Sequence, residues 1–424
     1  MRKPNCLVFP DRQDWIVFAP LSGLLMRTNA AMAERFRTFV DTGERPGESA
    51  PPTAVPETED FAPSYVTISC TNQCSNGCVY CYGAPAHRNA CRLDVEFCRE
   101  ALQFVGQQAE QNHQPVHVSF HGVGEPTLDW PLFARCVEIV RRTQGQFGIQ
   151  VYTTLCTGGQ VSEEKAGWIA QQFDEVHVSV DGPSDIQNAQ RPRADGRDSL
   201  EGPLRLARAV RASGKRVRVN VTVTSLSLGR MVEIVEFFAR EIGPIEVEFG
   251  PMFAPVWVDT RRIRPPEPEE FVAQFGRALD RGRGLGVQVR HPEITPTSLT
   301  HRRSSIVSSH FCLAPPNVIT AFYDVPNEGS GNPELGAYGW YDSTTKALRF
   351  NHDKRRELER QEASEECLGC PCSVNCLAPG GVKGRMPGKP GVAEPDCRAR
   401  IGVLRELLRR AVPRRIQTTE KHYA

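Results

Sequence analysis

The sequence predicts an α/β protein built on a partial (β/α)6 barrel, with a small N-terminal β-β-α segment ahead of it and a Cys-rich domain behind. Three observations carry this. The strand-like runs SYVTI, PVHVSF, IQVYTT, EVHVSV, RVRVNVTVT and IEVEF alternate with amphipathic helical stretches, the pattern of a parallel sheet. A Pro-rich, acidic run, ERPGESAPPTAVPETEDFAP, separates them from the N-terminus and has a linker's composition. Cysteines gather at short spacings in TNQCSNGCVYCYG and CLGCPCSVNCLAPGG, which reads as metal ligation.

In chain order, residues 1–43 hold two short strands, Cys6 to Phe9 and Trp15 to Phe18, then a helix from about Asn29 to Val40. The linker covers 44–63 and the barrel 64–260, with helices expected over Val95 to Gln108, Pro131 to Arg142, Glu163 to Phe173 and Met231 to Ile242. An open barrel places its site at the C-terminal edge of the strands; strand count alone leaves a doubly wound sheet as the alternative. A connecting region, 261–311, carries a helix over Pro265 to Gly284 and a strand at Val287 to Arg290. Residues 312–410 form the Cys-rich domain, with a hairpin within Ala321 to Arg349 and a basic helix from Arg398 to Arg410; 411–424 is a tail. The stretch from Cys367 to Cys397 has too much Gly, Pro and Cys to build an apolar core, so a metal must hold it.

Fifty-one Lys and Arg against fifty Asp and Glu leave a net charge of +1, so no overall field argues for nucleic acid or a membrane surface. The N-terminus MRKPNCLVFPDRQDW has no apolar run long enough for export, and no stretch suits a membrane span. The expected location is cytoplasmic. Fifteen Cys in a reducing compartment are ligands rather than disulfides.

Cys74, Cys78 and Cys81 follow the first barrel strand with Cys-x3-Cys-x2-Cys spacing. Three thiolates leave one iron of a four-iron cluster open, and an open position is what a catalytic metal site keeps. Cys70 does not extend this register, because Gly77 stands where it would need a Cys.

The segment Cys74-x3-Cys78-x-Tyr80-Cys81 resembles the signature of the radical S-adenosylmethionine (SAM) superfamily. That resemblance implies a radical SAM barrel with a [4Fe-4S] cluster held by these three Cys, whose open iron takes the amino-acid end of S-adenosyl-L-methionine. His121-Gly122-Val123-Gly124-Glu125-Pro126 is similar to the family's Gly-Gly-Glu-Pro motif, with Val123 as a departure. Val178-Ser179-Val180-Asp181-Gly182-Pro183 and the later Arg191 match a further cofactor-contacting segment. The family's Thr-Asn-Gly is altered to Thr154-Leu155-Cys156-Thr157-Gly158. The resemblance thus implies cofactor contacts from Tyr80, Gly122, Gly124, Glu125, Pro126, Thr154, Ser179, Asp181 and Arg191.

Cys367, Cys370, Cys376 and Cys397 make a second constellation, for which spacing alone admits zinc or iron-sulfur. It resembles the SPASM extension of radical maturases, which implies one auxiliary [4Fe-4S] cluster; Gly380 stands where a complete extension has another Cys. Cys312, Cys156 and Cys372 remain as hydrogen donors or extra ligands.

The implied partner is a ribosomally made precursor peptide with a leader, modified by crosslinking, thioether formation or epimerisation, with an electron donor such as flavodoxin or ferredoxin. The N-terminal segment resembles part of a domain that captures leaders by strand addition. A sulfatase-maturase-like or sugar-dehydrogenating radical SAM enzyme is the alternative, and a zinc-stabilised binding protein without catalysis is the reading from another class.

Overall fold

The computed structural model describes residues 6–20, 23–42, 61–84, 89–252, 258–294, 306–321, 336–360, 370–372 and 394–412. At the N-terminus, β1 (Leu7–Asp11), β2 (Asp14–Ala19) and β3 (Leu24–Thr28) form an antiparallel sheet in that order, followed by α1 (Ala30–Thr42). The segment is therefore β-β-β-α, where two strands were expected. Leu24, Leu25 and Met26 pair across from Ala19, Phe18 and Val17, and sheet pairing outweighs any helical leaning of that run. The helix opens instead at Asn29, whose side chain accepts the Met32 N–H at 2.9 Å.

The second sheet holds eleven strands in the order β10-β9-β8-β7-β6-β5-β4-β11-β12-β13-β14. All six expected barrel strands are present: β4 (Tyr65–Ile68), β5 (Val116–Phe120), β6 (Val151–Thr157), β7 (Glu175–Ser179), β8 (Arg216–Val223) and β9 (Glu246–Pro251). Between them lie α2 (Val95–Gln111), α3 (Trp130–Phe147), α4 (Glu163–Gln172), α5 (Ser184–Gln190), α6 (Glu201–Ala212) and α7 (Met231–Glu241). Consecutive strands are parallel neighbours throughout. A doubly wound sheet reverses direction at its first strand, so this unbroken progression identifies the open barrel.

Each strand puts one face under the helices. Val66, Ile68, Val118, Phe120, Leu155, Val176, Val178, Val219, Val247 and Phe249 are buried there. The alternate residues, including Thr67, Ser119, Thr154, Cys156, His177 and Asn220, line the opposite face, so the barrel interior is polar.

The sheet extends past the six strands on both sides. After α8 (Pro268–Leu285), β10 (Gln288–Arg290) pairs parallel with β9. After α9 (Ile306–Ser309), β11 (His310–Ala314) returns to pair parallel with β4, aligning Cys312 with Thr67. Three antiparallel strands follow, β12 (Val318–Thr320), β13 (Ala337–Asp342) and β14 (Ala347–Phe350). The chain then forms α10 (His352–Arg360) and α11 (Glu394–Ala411). The expected hairpin is thus β13 and β14, within the main sheet. Most of the expected linker lies outside the described residues, but its end belongs to the core: the Phe61 ring stands 5.7 Å from those of Tyr338 and Phe350, with Arg355 over its face.

Candidate active site

Loops at the C-terminal ends of β4 to β8 converge. The loop after β4 is zipped at its base, where Thr71 Oγ1 donates to Cys91 O at 2.9 Å, Cys91 N–H to Asn72 Oδ1 at 2.8 Å and Leu93 N–H to Cys70 O at 2.9 Å. Cys74, Cys78 and Cys81 lie within it. One flank is pinned to the segment after α5: Gly77 N–H donates to Pro192 O at 2.7 Å, Val79 N–H to Gln190 O at 3.0 Å and Ala194 N–H to Ser75 O at 3.0 Å.

The loop after β5 holds the other flank. Glu125 N–H donates to Gln73 O at 2.8 Å. A Cβ on Gly124 would stand 2.2 Å from Thr71 O, so only glycine permits this approach. The buried Glu125 carboxylate accepts from Thr127 N–H and Oγ1, from Thr157 Oγ1 at 2.7 Å and from Gly158 N–H at 2.7 Å. It fastens the β5 loop to the end of β6, with Pro126 buried beside it. Gly158 in turn abuts Asn76, whose amide lies 2.8 Å from where a Cβ would be.

Behind the cysteines sits a buried polar network. Asp181, wholly buried, accepts from Tyr80 Oη at 2.5 Å and Gln190 Nε2 at 2.7 Å on one oxygen; the other takes Thr222 N–H at 2.9 Å and faces Arg191 Nε at 3.1 Å. Arg191 lies over the Tyr80 ring and points Nη1 at Cys78 Sγ, 4.0 Å away. Burial pushes the Cys78 thiol up to about 11 against the pull of Arg191, and Cys74 up to about 12. Thr154 is a step down the barrel wall, its hydroxyl 3.1 Å from His117 Nε2, and Ser179 lies at the end of β7 on the same inner face.

Of the remaining cysteines, Cys156 faces the barrel interior with Sγ 3.5 Å from His177 Nδ1, while Cys312 is buried in β11. Cys372 is buried and its N–H donates to Cys370 Sγ at 3.4 Å; Cys397 lies near the start of α11. Cys367 and Cys376 fall outside the described residues. Sequence reasoning missed His177 and Glu175. Their signal was the alternation in EVHVSV, which puts both on the face that Ser179 shares.

Among the described residues no three His, Cys, Asp or Glu side chains converge at single-ion distance. A four-iron cubane seats each cysteine on a separate iron and asks for wider spacing. The residues present suit such a group: three half-buried thiols on one loop, a guanidinium behind Cys78, and within the loop the buried Asn76 Oδ1, which has no hydrogen-bond partner among the described residues.

Residues 68–238 match the family model described as Radical SAM superfamily. No curated protein matches in sequence. Among solved structures, native anSMEcpe with bound AdoMet shares 16% identity over 82% of this chain and 97% of its own, with a TM-score of 0.62. The same protein with AdoMet and Cp18Cys peptide gives 16%, 82%, 98% and 0.63. Streptococcus suis SuiB bound to precursor peptide SuiA gives 12%, 92%, 98% and 0.50. At these identities the likeness is one of fold. The matched segment runs from the end of β4 into α7, the strands and helices that carry the cysteine loop and its two flanking fasteners, and the chain therefore carries a radical SAM enzyme domain, with a [4Fe-4S] cluster and S-adenosylmethionine as its cofactors.

Proposed function

We propose that this enzyme matures a ribosomally synthesised peptide. The observation that carries the reading is the barrel interior: a polar face that includes Thr67, Ser119, Thr154, Cys156 and His177, with the loop of Cys74, Cys78 and Cys81 at its C-terminal edge. When bound, the cluster would supply the electron for reductive cleavage of S-adenosylmethionine to methionine and a 5′-deoxyadenosyl radical. The chain's own residues would hold this chemistry in place. Cys74, Cys78 and Cys81 take the cluster; Gly122, Gly124, Ser179 and Thr154 border the cofactor; Tyr80, Glu125, Asp181 and Arg191 keep the surrounding loops fixed.

Two further observations support a peptide. The structures of similar fold include ones with bound peptides, SuiA in SuiB and Cp18Cys in anSMEcpe. In the N-terminal sheet, β1 and β3 each present an edge that no other described strand covers, and an extended leader can add to such an edge. In this reading Cys367, Cys370, Cys376 and Cys397 hold one auxiliary [4Fe-4S] cluster of SPASM type, and a small flavodoxin or ferredoxin feeds electrons.

The test is anaerobic reconstitution and co-expression. Replacing Cys74, Cys78 and Cys81 by Ala abolishes 5′-deoxyadenosine formation; continued cleavage by that variant refutes the assignment. A short precursor encoded beside the gene, co-expressed with the native chain, loses two hydrogens by mass spectrometry on crosslinking and keeps its mass on epimerisation. A precursor returned chemically unchanged, by mass and by chiral amino-acid composition, argues for a small-molecule substrate instead.

A further inference from the structure

The barrel interior holds a chain of reactive groups outside the cysteine loop. Cys156 Sγ on β6 lies 3.5 Å from His177 Nδ1 on β7, and His177 Nε2 lies 2.8 Å from Glu175 Oε1. Arg218 shares that Glu175 oxygen at 2.9 Å, and Arg216 and Tyr152 donate to the other. The order of thiol, imidazole and carboxylate, each in hydrogen-bond reach of the next, is that of an activated cysteine whose base is oriented by a third group. Burial works to lower the His177 pKa, yet Cys156 and Glu175 prevail and push it up to about 10. Its two N–H groups therefore donate in both directions at neutral pH.

The place of this triad matters as much as its order. Cys156 precedes Thr157 and Gly158, which both bond to Glu125, and Gly158 also abuts Asn76 of the cysteine loop. The strand that carries the thiol thus ends at the seam between the β5, β6 and cysteine loops. On the same inner face, Thr67 Oγ1 and Asn220 Oδ1 are buried with no hydrogen-bond partner among the described residues, as groups are that await a polar guest.

We propose that Cys156, oriented by His177 and Glu175, returns a hydrogen atom to the substrate radical formed in this barrel. With His177 protonated that hydrogen rests on Nδ1 and returns to sulfur before transfer; the S–H bond so formed is weaker than an aliphatic C–H bond, so the transfer runs toward carbon. The hydrogen of the Cys156 to His177 contact passes to the substrate carbon with one electron from sulfur, giving a C–H bond and a sulfur radical on Cys156. One electron from a low-potential one-electron reductant, of the class that serves the cluster, and one proton delivered from solvent by His177 restore the thiol. The substrate then leaves without net oxidation, as an epimerised residue would. This rests on the radical reading above, but not on the substrate being a peptide.

Two measurements test it. In the first, the native chain is treated with iodoacetamide at neutral pH and Cys156 is followed by peptide mass mapping; His177→Gln slows its alkylation, and an unchanged rate overturns the triad. In the second, reconstituted enzyme is incubated with S-adenosylmethionine and dithionite in D2O without substrate. The deuterium fraction is read per molecule of 5′-deoxyadenosine, so the amount formed does not matter. Cys156→Ser loses most of the deuterium that the native enzyme incorporates, while Cys312→Ser retains it. Undiminished deuterium in Cys156→Ser, or its loss in Cys312→Ser instead, overturns the proposal; absence of 5′-deoxyadenosine from the native enzyme would instead defeat the radical reading itself.

Discussion

Asp181 has both carboxylate oxygens occupied inside the protein, by Tyr80, Gln190, the Thr222 amide and the Arg191 ion pair. Removing one partner of a buried pair leaves the other charge stranded, at a cost of about 3–5 kcal/mol, so its part is to aim Arg191 at Cys78. His177 offers a residue-scale prediction with a defined sign. Its pKa rises from 6.5 to about 10 in the folded state, through Cys156 and Glu175 and against burial and Arg218. A base raised on folding contributes stability that is complete below pH 6.5 and is lost as pH climbs through about 10. The unfolding free energy of the native chain, minus that of His177→Gln, should therefore fall across pH 6.5 to 10 by on the order of a few kcal/mol. A flat difference would mean that the imidazolium is not held.

Among elements, the loops after β4, β5 and β6 act as one unit because their fasteners are shared. Gly124→Ala would drive a methyl into the Thr71 carbonyl, and such overpacking costs about 1–3 kcal/mol. The expected result is a displaced cysteine loop, seen as reduced iron per chain after reconstitution while far-UV circular dichroism is preserved; full iron content would show that the loop docks otherwise. These elements were legible in the sequence for a physical reason. Parallel strands covered on both faces read as unbroken apolar runs, whereas VHVSF, EVHVSV and RVRVNVTVT alternate, announcing one helix-covered face and one polar interior. The strand β3 was not legible, since its pairing with β2 decides its state and a run such as LLMRT suits either helix or strand. Nor was the seat of Phe61, whose partners come from residues far away in the chain.

At the scale of the whole molecule, the structure joins parts that the sequence presents as separate. Helix α11 lies along α8 and is tied to the barrel by the buried Arg400 and Glu293 pair, while Arg405 and Arg409 cover Phe9 of the N-terminal sheet. No helix among the described residues is long and apolar enough to cross a membrane. The motifs around Cys74, Gly124 and Asp181 were readable because each is local. The course of β11 to β14 was not, because strand pairing at long sequence separation leaves no local trace.

The pairing of β11 with β4 sets a timetable for synthesis. Tyr65, at the foot of the strand that leads into the cysteine loop, is flanked by His117 on one side and His310 on the other, both rings 4.4 Å away. A growing chain can lay down β5 within moments, but the other flank of β4 stays bare until His310 has left the ribosome, and late partners of this kind make assembly slow. Iron delivery should accordingly follow translation rather than accompany it: chains halted at residue 300 are expected to emerge colourless and prone to aggregate, and a halted chain that retained iron would show that β4 matures without its distant neighbour.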